Sequence, residues 1–385
     1  MTSETNPSIL ERVRALRPAV MEAAQRAASE RRLPTDVVDQ LRDAGVFSMA
    51  MPRSWGGPEL DVLDQLDVIE ELAYADGSVG WCAMIGADSG YYSAFLDDEV
   101  GRALYPTLDL VSAGFTAPAG TAMRHGDGWR VTGRWSFGSG ITHADRVVGG
   151  ALLFDENGPL TDALGLPQWR TFFLPVGDLE IIDTWHTTGL EGSGSNDYAV
   201  TDASVADEHT FDPLGPTRRP GPLYRLSWWF LVKVAAVPLG IARRALDELV
   251  SLSSSKVLLP SFSLLRDNVQ CQDAVARAEA LVGSAGAYLR EAVAGAWATA
   301  VGGDEPDESQ RAVLRLAVTN ASTASRQAVQ LLYDQAGTSA IYRNSFLDQA
   351  LRDVTTAGQH LVFSARNYVP VGRRLLGLDP ESFMI

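Results

Sequence analysis

Residues 129–145, WRVTGRWSFGSGITHAD, carry the reading of this chain. Alternation places Trp129, Val131, Gly133, Trp135 and Phe137 on one side of a strand, and Arg130, Thr132, Arg134 and Ser136 on the other. The strand breaks into Gly138-Ser139-Gly140, where missing Cβ atoms let a flat ligand approach the backbone and one hydroxyl stands at the edge. An aromatic strand ending in a small-residue loop with a lone donor suits the wall of a planar cofactor. The same pattern also serves a strand that leaves a barrel through a glycine turn. The setting of the stretch decides between the two.

Around it, period-two segments at 111–115, 146–154, 171–175, 181–185 and 198–205 are separated by Gly, Pro, Asp and Asn. Together they predict a small barrel or sandwich over 109–212. Upstream, residues 1–108 read as helices. Ile9, Val13, Leu16 and Val20 follow helical spacing, and a second helix over 35–47 opens with a threonine cap and ends around Gly45. Helices resume over 60–74 and 78–96, the latter carrying Trp81. Downstream of a Pro-rich linker at 213–222, residues 213–385 return to helix. One face carries Ala274, Ala278, Leu281, Ala285, Leu289, Ala292 and Ala296, and another carries Leu314, Val318, Ala321, Ala324, Ala328 and Leu332. Such alanine-rich stripes predict an antiparallel bundle. The class is α+β, in the order helices, β-domain, helical bundle.

Composition narrows the function. The 385 residues carry 32 Lys and Arg against 48 Asp and Glu, a formal charge of −16, which argues against nucleic acid or an anionic membrane as a partner. Cys82 and Cys271 lie far apart in sequence, so neither a disulfide framework nor a metal site is expected. The N-terminus has no apolar segment of the secretory kind, and the run at 230–241 is interrupted by Lys233 and Pro238. A cytoplasmic location is expected. Gly192-Ser193-Gly194-Ser195-Asn196-Asp197 lacks the last glycine of a dinucleotide fingerprint and sits among strands, and no P-loop occurs. Nothing suggests a nicotinamide site.

Several segments resemble the acyl-CoA dehydrogenase superfamily across nearly the whole chain. Residues 185–197, WHTTGLEGSGSND, resemble its W…GLRGTGS-N/D segment, Leu351-Arg352-Asp353 its late L-R-D motif, and Gln335-Ala336-Gly337-Thr338 part of its Q-x-x-G-G segment. Residues 133–140, GRWSFGSG, followed by His143-Ala144-Asp145, are similar to the oxygenase components of two-component flavin-dependent monooxygenases. The resemblance implies an N-terminal helical domain, a middle β-barrel and a C-terminal four-helix bundle, with flavin between barrel and bundle. It also implies a homodimer or homotetramer and a separate NAD(P)H:flavin reductase that supplies reduced FAD or FMN. Oxygen would then add at the flavin C4a position, and the hydroperoxide would hydroxylate a small aromatic substrate of phenol or indole type. N-oxygenation of an amine or amino sugar, acyl-CoA dehydrogenation and a non-catalytic scaffold are the alternatives.

The dehydrogenase chemistry needs a carboxylate base. In most of those enzymes it lies about nine residues after the L-R-D arginine, a place held here by Leu361, and no Asp or Glu occurs between Asp353 and Asp379. His360 stands beside that place. On a continuous helix Asp353, Thr356, His360, Ser364 and Asn367 would share a polar stripe. The resemblance makes His360 the residue that deprotonates or orients the substrate, a role its ordinary pKa would suit near neutrality. Ser139 is the candidate donor to the flavin, with Phe137, Gly138 and Gly140 against its ring. Phe115, Thr116, Ser195, Asn196 and Gly337 are further flavin contacts, and Trp81 is an aromatic wall for the substrate. Trp229, with Tyr224, Trp228 and Phe230, would line an apolar cavity or else belong to the core. His143 and His186 are weaker pocket candidates, while His125 and His209 are expected in solvent. Two departures stand out. Only Lys256, with Arg266 further on, is offered where the family carries a pyrophosphate arginine, and Ala336 replaces a glycine. Both fit a flavin exchanged with a reductase.

Overall fold

The computed structural model describes residues 7–225 and 229–382. Its first helices are α1 (Ile9–Glu30), α2 (Thr35–Asp43), α3 (Val62–Ala75), α4 (Gly77–Gly86), α5 (Ser89–Ser93) and α6 (Asp98–Leu104). A capping box starts α1: the Ser8 hydroxyl accepts from the Glu11 amide, and the Glu11 carboxylate accepts from the Ser8 amide. Two donors left unpaired at a helix start are thereby satisfied. Thr35 is the first residue of α2 rather than its cap. Pro34 precedes it with no side-chain bond, and turns replace the helix expected to reach residue 47. The helix expected over 78–96 is likewise two helices, broken at Ala87 and Asp88.

Helix α4 is capped by Asp76, whose Oδ1 accepts from Val79 N at 3.0 Å. All its residues except Ile85 are buried, as befits a helix that is apolar on every face. The Trp81 side chain is therefore delivered by a rigid core element.

Strands β1 (Ser112–His125), β2 (Gly128–Gly138), β3 (Arg146–Asp155), β4 (Gly158–Pro159), β5 (Trp169–Leu174), β6 (Glu180–Ile182), β7 (Asn196–Ala206) and β8 (Thr210–Phe211) form one sheet. The order is β6-β7-β2-β1-β3-β5-β8, with β4 on β3. β1 and β3 run parallel; the other pairs are antiparallel. The sheet is open, since among the described residues its end strands β6 and β8 do not pair with each other. β1 runs well past the end expected at 115, crossing irregular pairing with β3 around Pro118, which has no amide to donate. Trp135 anchors the interior: its ring stacks on Tyr198 at 5.4 Å and its N–H donates to Gly150 O at 2.7 Å.

One bulge shapes the end of β2. Trp135 faces Tyr198 and Gly138 faces Asn196, so β2 spends one more residue than β7 over this interval. Trp129, Val131 and Trp135 are buried as the alternation requires, but Phe137 has φ +67° and its side chain is 65% exposed. Phe137 therefore does not share their face, and the bulge is the reason.

The chain ends in α7 (Pro222–Arg225), α8 (Trp229–Lys233), α9 (Ala236–Ser253), α10 (Val269–Val301), α11 (Glu308–Ala336), α12 (Phe346–Ala357) and α13 (Tyr368–Leu375). The alanine stripes of α10 and α11 are buried apart from Leu281, which is half-buried. α10 packs on α11, α9 on α3 and α11, and α12 on α9 and α11. A buried Lys233–Asp88 pair at 2.8 Å ties α8 to the corner between α4 and α5. Helices from both ends of the chain share one apolar core, and the sheet has its own. Among the described residues, no helix is long and apolar enough to cross a membrane.

Candidate active site

Three distant segments converge at the end of β2. The Trp81 indole N–H donates to Ser139 Oγ at 3.0 Å. Ser139 Oγ is 2.8 Å from Ser195 Oγ, which is 2.8 Å from Ser193 Oγ, and all three serines are buried. The loops are laced together by their backbones, Gly140 N donating to Ser193 O at 2.9 Å. The third segment is the turn after α12, where the His360 ring meets Trp81 at 5.6 Å and 74° and Phe363 at 6.3 Å and 67°.

The two glycines beside Ser139 turn their missing Cβ atoms toward the protein rather than toward open space. A Cβ on Gly138 would lie 2.9 Å from Tyr198 Cδ1 and 3.0 Å from Asn196 O; one on Gly140, at φ +71°, would lie 2.9 Å from His143 Nε2. The Tyr198 and His143 side chains and the Asn196 backbone occupy the space the missing Cβ atoms leave. The exposed group at this edge is the ring of Phe137.

His360 is not on a helix. α12 stops at Ala357, and His360 takes extended backbone angles as the cap of a short turn over residues 361–363, its Nδ1 accepting from Val362 N at 3.4 Å. The polar stripe expected from residue 353 to 367 is therefore broken. Burial pushes the His360 pKa down to about 4, so the ring is neutral near pH 7 rather than poised there. With Nδ1 taking an amide proton, Nε2 is the nitrogen assigned the hydrogen.

Asp353, expected on that stripe, is buried instead. Its Oδ1 accepts from Leu190 N at 2.6 Å, and Gln349 Nε2 donates to Asp353 Oδ2 at 3.3 Å and to Asp76 Oδ2 at 2.9 Å. Burial first, and then the Asp76 charge, raise Asp353 to about 7. This bridge joins α12 to the cap of α4 and to the loop carrying the serines. Sequence reading missed Gln349, Asp76 and Ser193 as partners; only the Gly-Ser-Gly-Ser alternation hinted at the last.

The other candidates divide. Phe115 is half-buried, and its N–H donates to Tyr198 OH at 2.7 Å; Thr116 O accepts from Thr171 Oγ1 at 3.1 Å. Both lie where regular β1–β3 pairing lapses. Asn196 Oδ1 accepts from Thr184 N and Trp185 N at 3.1 and 3.0 Å, so that oxygen is spent on a neighbouring loop. Gly337 caps the end of α11, where Lys256 Nζ donates to Ala336 O. Trp229 is fully buried, with its N–H toward Pro222 O and its ring 6.1 Å from Trp297, and it makes none of the contacts that join Trp81, Ser139 and His360. Tyr224 is buried too, donating to Ala50 O. Trp228 and the side chain of Phe230 lie outside the described residues. Among the described residues both ring nitrogens of His143 are buried without a hydrogen-bond partner, and desolvation lowers its pKa to about 4. His186 is exposed beside Arg31 and Asp183. A groove of about 920 Å³ between α10, α11 and α12, lined by Arg277, Arg326, Gln330 and Thr355 among others, includes none of the converging residues.

The N-terminal domain model of acyl-CoA dehydrogenases matches residues 3–100, and their C-terminal domain model matches residues 232–365. An indole-3-acetate monooxygenase of Pseudomonas putida is 32% identical over 353 residues, covering 91% of this chain and 89% of its own. HsaA of Rhodococcus jostii, the oxygenase subunit of a flavin-dependent monooxygenase, is 25% identical, covering 98% of this chain and 100% of its own. The crystal structure of 3-HSA hydroxylase from Rhodococcus sp. RHA1 has a TM-score of 0.91 at 24% identity, covering 99% of this chain and 100% of that one, a likeness of fold.

Proposed function

The chain belongs to the acyl-CoA dehydrogenase superfamily, in its branch of flavin-dependent monooxygenases, and on that premise we propose that it hydroxylates an aromatic substrate of phenol or indole type. It works as an oxygenase component fed with reduced FAD or FMN by a separate NAD(P)H:flavin reductase. The observation that carries this reading is the convergence of Ser139, Trp81 and His360 from three segments, with no carboxylate where a dehydrogenase keeps its base.

The residues fit a flavin. Phe137 offers an exposed ring next to a buried hydroxyl, and Phe115 and Thr116 lie where strand pairing is irregular. Reduced flavin, when bound, supplies the two electrons that activate O2. Phe137 would support its ring and Ser139 Oγ would hold a polar ring atom, while the buried walls keep water out.

His360 orients the substrate rather than deprotonating it. A phenol with a pKa near ~10 facing an imidazole at about 4 has a gap of roughly 6 units, ~8 kcal/mol before the two ions attract each other. As assigned, Nε2–H donates to a phenol oxygen. Accepting from an indole N–H needs the other tautomer, which gives up the long contact to Val362 and turns Nδ1–H toward that amide N–H, so the geometry favours the phenol. Trp81 then closes the site edge-on.

We read the eight-stranded sheet as the superfamily's barrel and α9 to α12 as its four-helix bundle. Residues 1–108, 109–212 and 213–385 are its three domains, in a cytoplasmic homodimer or homotetramer. The activity is tested by supplying reduced flavin from a generic reductase with a panel of phenols and indoles. A hydroxylated product that depends on this chain supports the reading; peroxide alone with every substrate contradicts it.

A further inference from the structure

Behind the convergence of Trp81, Ser139 and His360, the segments that carry them meet a second time. Asp76, the cap of α4, and Asp353 of α12 are both buried. Among the described residues neither carboxyl accepts from a Lys, Arg or His side chain; what they share is the Gln349 amide. A planar amide nitrogen carries two hydrogens that point in different directions. Here one goes to Asp76 Oδ2 at 2.9 Å and the other to Asp353 Oδ2 at 3.3 Å. The other oxygens take backbone donors, Asp76 Oδ1 from Val79 N at 3.0 Å and Asp353 Oδ1 from Leu190 N at 2.6 Å. Packing around the bridge is close. A Cβ on Gly77, the first residue of α4, would lie 3.0 Å from Asp353 Oδ2, and one on Gly189 would overlap Arg352 O. The start of α4 and the turn at 189–190 are thus both seated directly on α12.

We propose that Gln349 is a positioning residue for Trp81, fixing the cap of α4 against α12 so that the indole stands between Ser139 and His360. The inference rests on the proposed hydroxylation and adds to it a residue that acts from behind the site. Trp81 is in the second turn of α4, a helix buried along nearly its whole length. A shift of the Asp76 cap is therefore carried to the indole. From there the indole N–H reaches Ser139 Oγ at 3.0 Å, and its ring meets His360, three residues past the end of α12, at 5.6 Å. Without the amide, two buried carboxyls lose the donor they share, and the two helices lose the polar link between them. Small displacements of a substrate-positioning group cost rate steeply.

The test is a double-mutant cycle on kcat/KM, with a phenol or indole that the wild type hydroxylates, run well below the thermal midpoint of each variant. Gln349→Leu is expected to lower kcat/KM about tenfold. Trp81→Leu, itself expected to cost about tenfold, removes both contacts by which α4 reaches the site. Adding Gln349→Leu to it should then cost no more than about twofold further. A residue that only holds the fold together would lower the thermal midpoint in both backgrounds and leave kcat/KM alone. Should Gln349→Leu fail to fold, Gln349→Glu keeps the shape with at most one hydrogen to give. Its expected loss is about threefold in the wild-type background and within about twofold in Trp81→Leu. A kcat/KM for Gln349→Leu within about twofold of wild type, or losses that multiply in the double variant, overturns the inference and leaves the proposed function standing. A wild-type chain that hydroxylates no phenol or indole overturns both.

Discussion

The imidazole of His360 stands 5.6 Å from the indole of Trp81 at 74°, an edge contact between a core helix near the start of the chain and a turn near its end. The same indole holds Ser139 by its N–H, so one side chain links the histidine proposed to face the substrate to the hydroxyl proposed to face the flavin. His360→Ala removes the proposed orienting group and leaves the Trp81–Ser139 bond. The expected result is a fall in hydroxylation of about 10²-fold with flavin affinity within about twofold of wild type, electrons being diverted to peroxide. Product and peroxide counted in the same reaction check this.

The pH profile tests the state of that ring. With its pKa held at about 4 by burial, His360 is neutral at every pH above about 5. The expected kcat/KM for hydroxylation shows no histidine inflection between about pH 5.5 and 7.5. An inflection near 6.5 that disappears in His360→Asn would mean that the histidine works as an ordinary base.

His143 gives a stability test. The folded chain holds it neutral down to about pH 4, whereas the unfolded chain protonates it below the ordinary value of 6.5. Stability therefore falls as pH drops from about 6.5 to 4 and levels off below. His360 contributes in the same direction. Both ring nitrogens of His143 lack a hydrogen-bond partner among the described residues, so His143→Leu is expected to stabilise the protein by roughly 1 kcal/mol at pH 7 and to flatten part of the acid slope. Urea unfolding at pH 7 and pH 5 measures both effects.

Asp353 acts with the opposite sign. Its carboxyl keeps a proton up to about 7 in the folded chain, while the unfolded chain loses it above the ordinary value of 3.8. Its contribution is complete below about pH 4 and is lost as pH rises toward 7. The wild-type stability minus that of Asp353→Asn should decline across this window. A difference that does not change with pH would contradict the protonated carboxyl.

Phe137 and Gly138 are neighbours with different work. Phe137→Ala removes an exposed ring, so the thermal midpoint without flavin stays within about a degree while flavin affinity falls about tenfold. Gly138→Ala forces a methyl against Tyr198 and Asn196 and is expected to cost about 1–3 kcal/mol of stability with or without flavin. Thermal unfolding and flavin titration of both variants separate the two roles.

Much of this was legible in the residues. The change of period from helix to strand and back marked the α+β plan, and the motif at 185–197 and the missing carboxylate after Asp353 directed the functional reading. What stayed hidden depended on single residues acting over distance. One bulged residue turned Phe137 outward, which strict alternation cannot foresee. The end of α12 at Ala357 removed His360 from the helix although no proline marks the break. Trp229 and Trp81 look alike as aromatic residues in helical segments; both are buried, and only the fold sets one against Trp297 and the other on Ser139. The serine chain and the Gln349 bridge join residues that are remote in sequence, beyond the reach of local patterns.

The most direct test of the central claim is an anaerobic titration of the full chain with reduced FAD and reduced FMN, followed by rapid mixing with oxygenated buffer. The account expects one reduced flavin to bind and a near-ultraviolet absorbance band to persist well beyond the reoxidation of free flavin. That band should decay faster when a phenol or indole that is turned over is present. Reduced flavin that fails to bind, or that reoxidises as it does free in solution, would contradict the assignment of this chain as an oxygenase component.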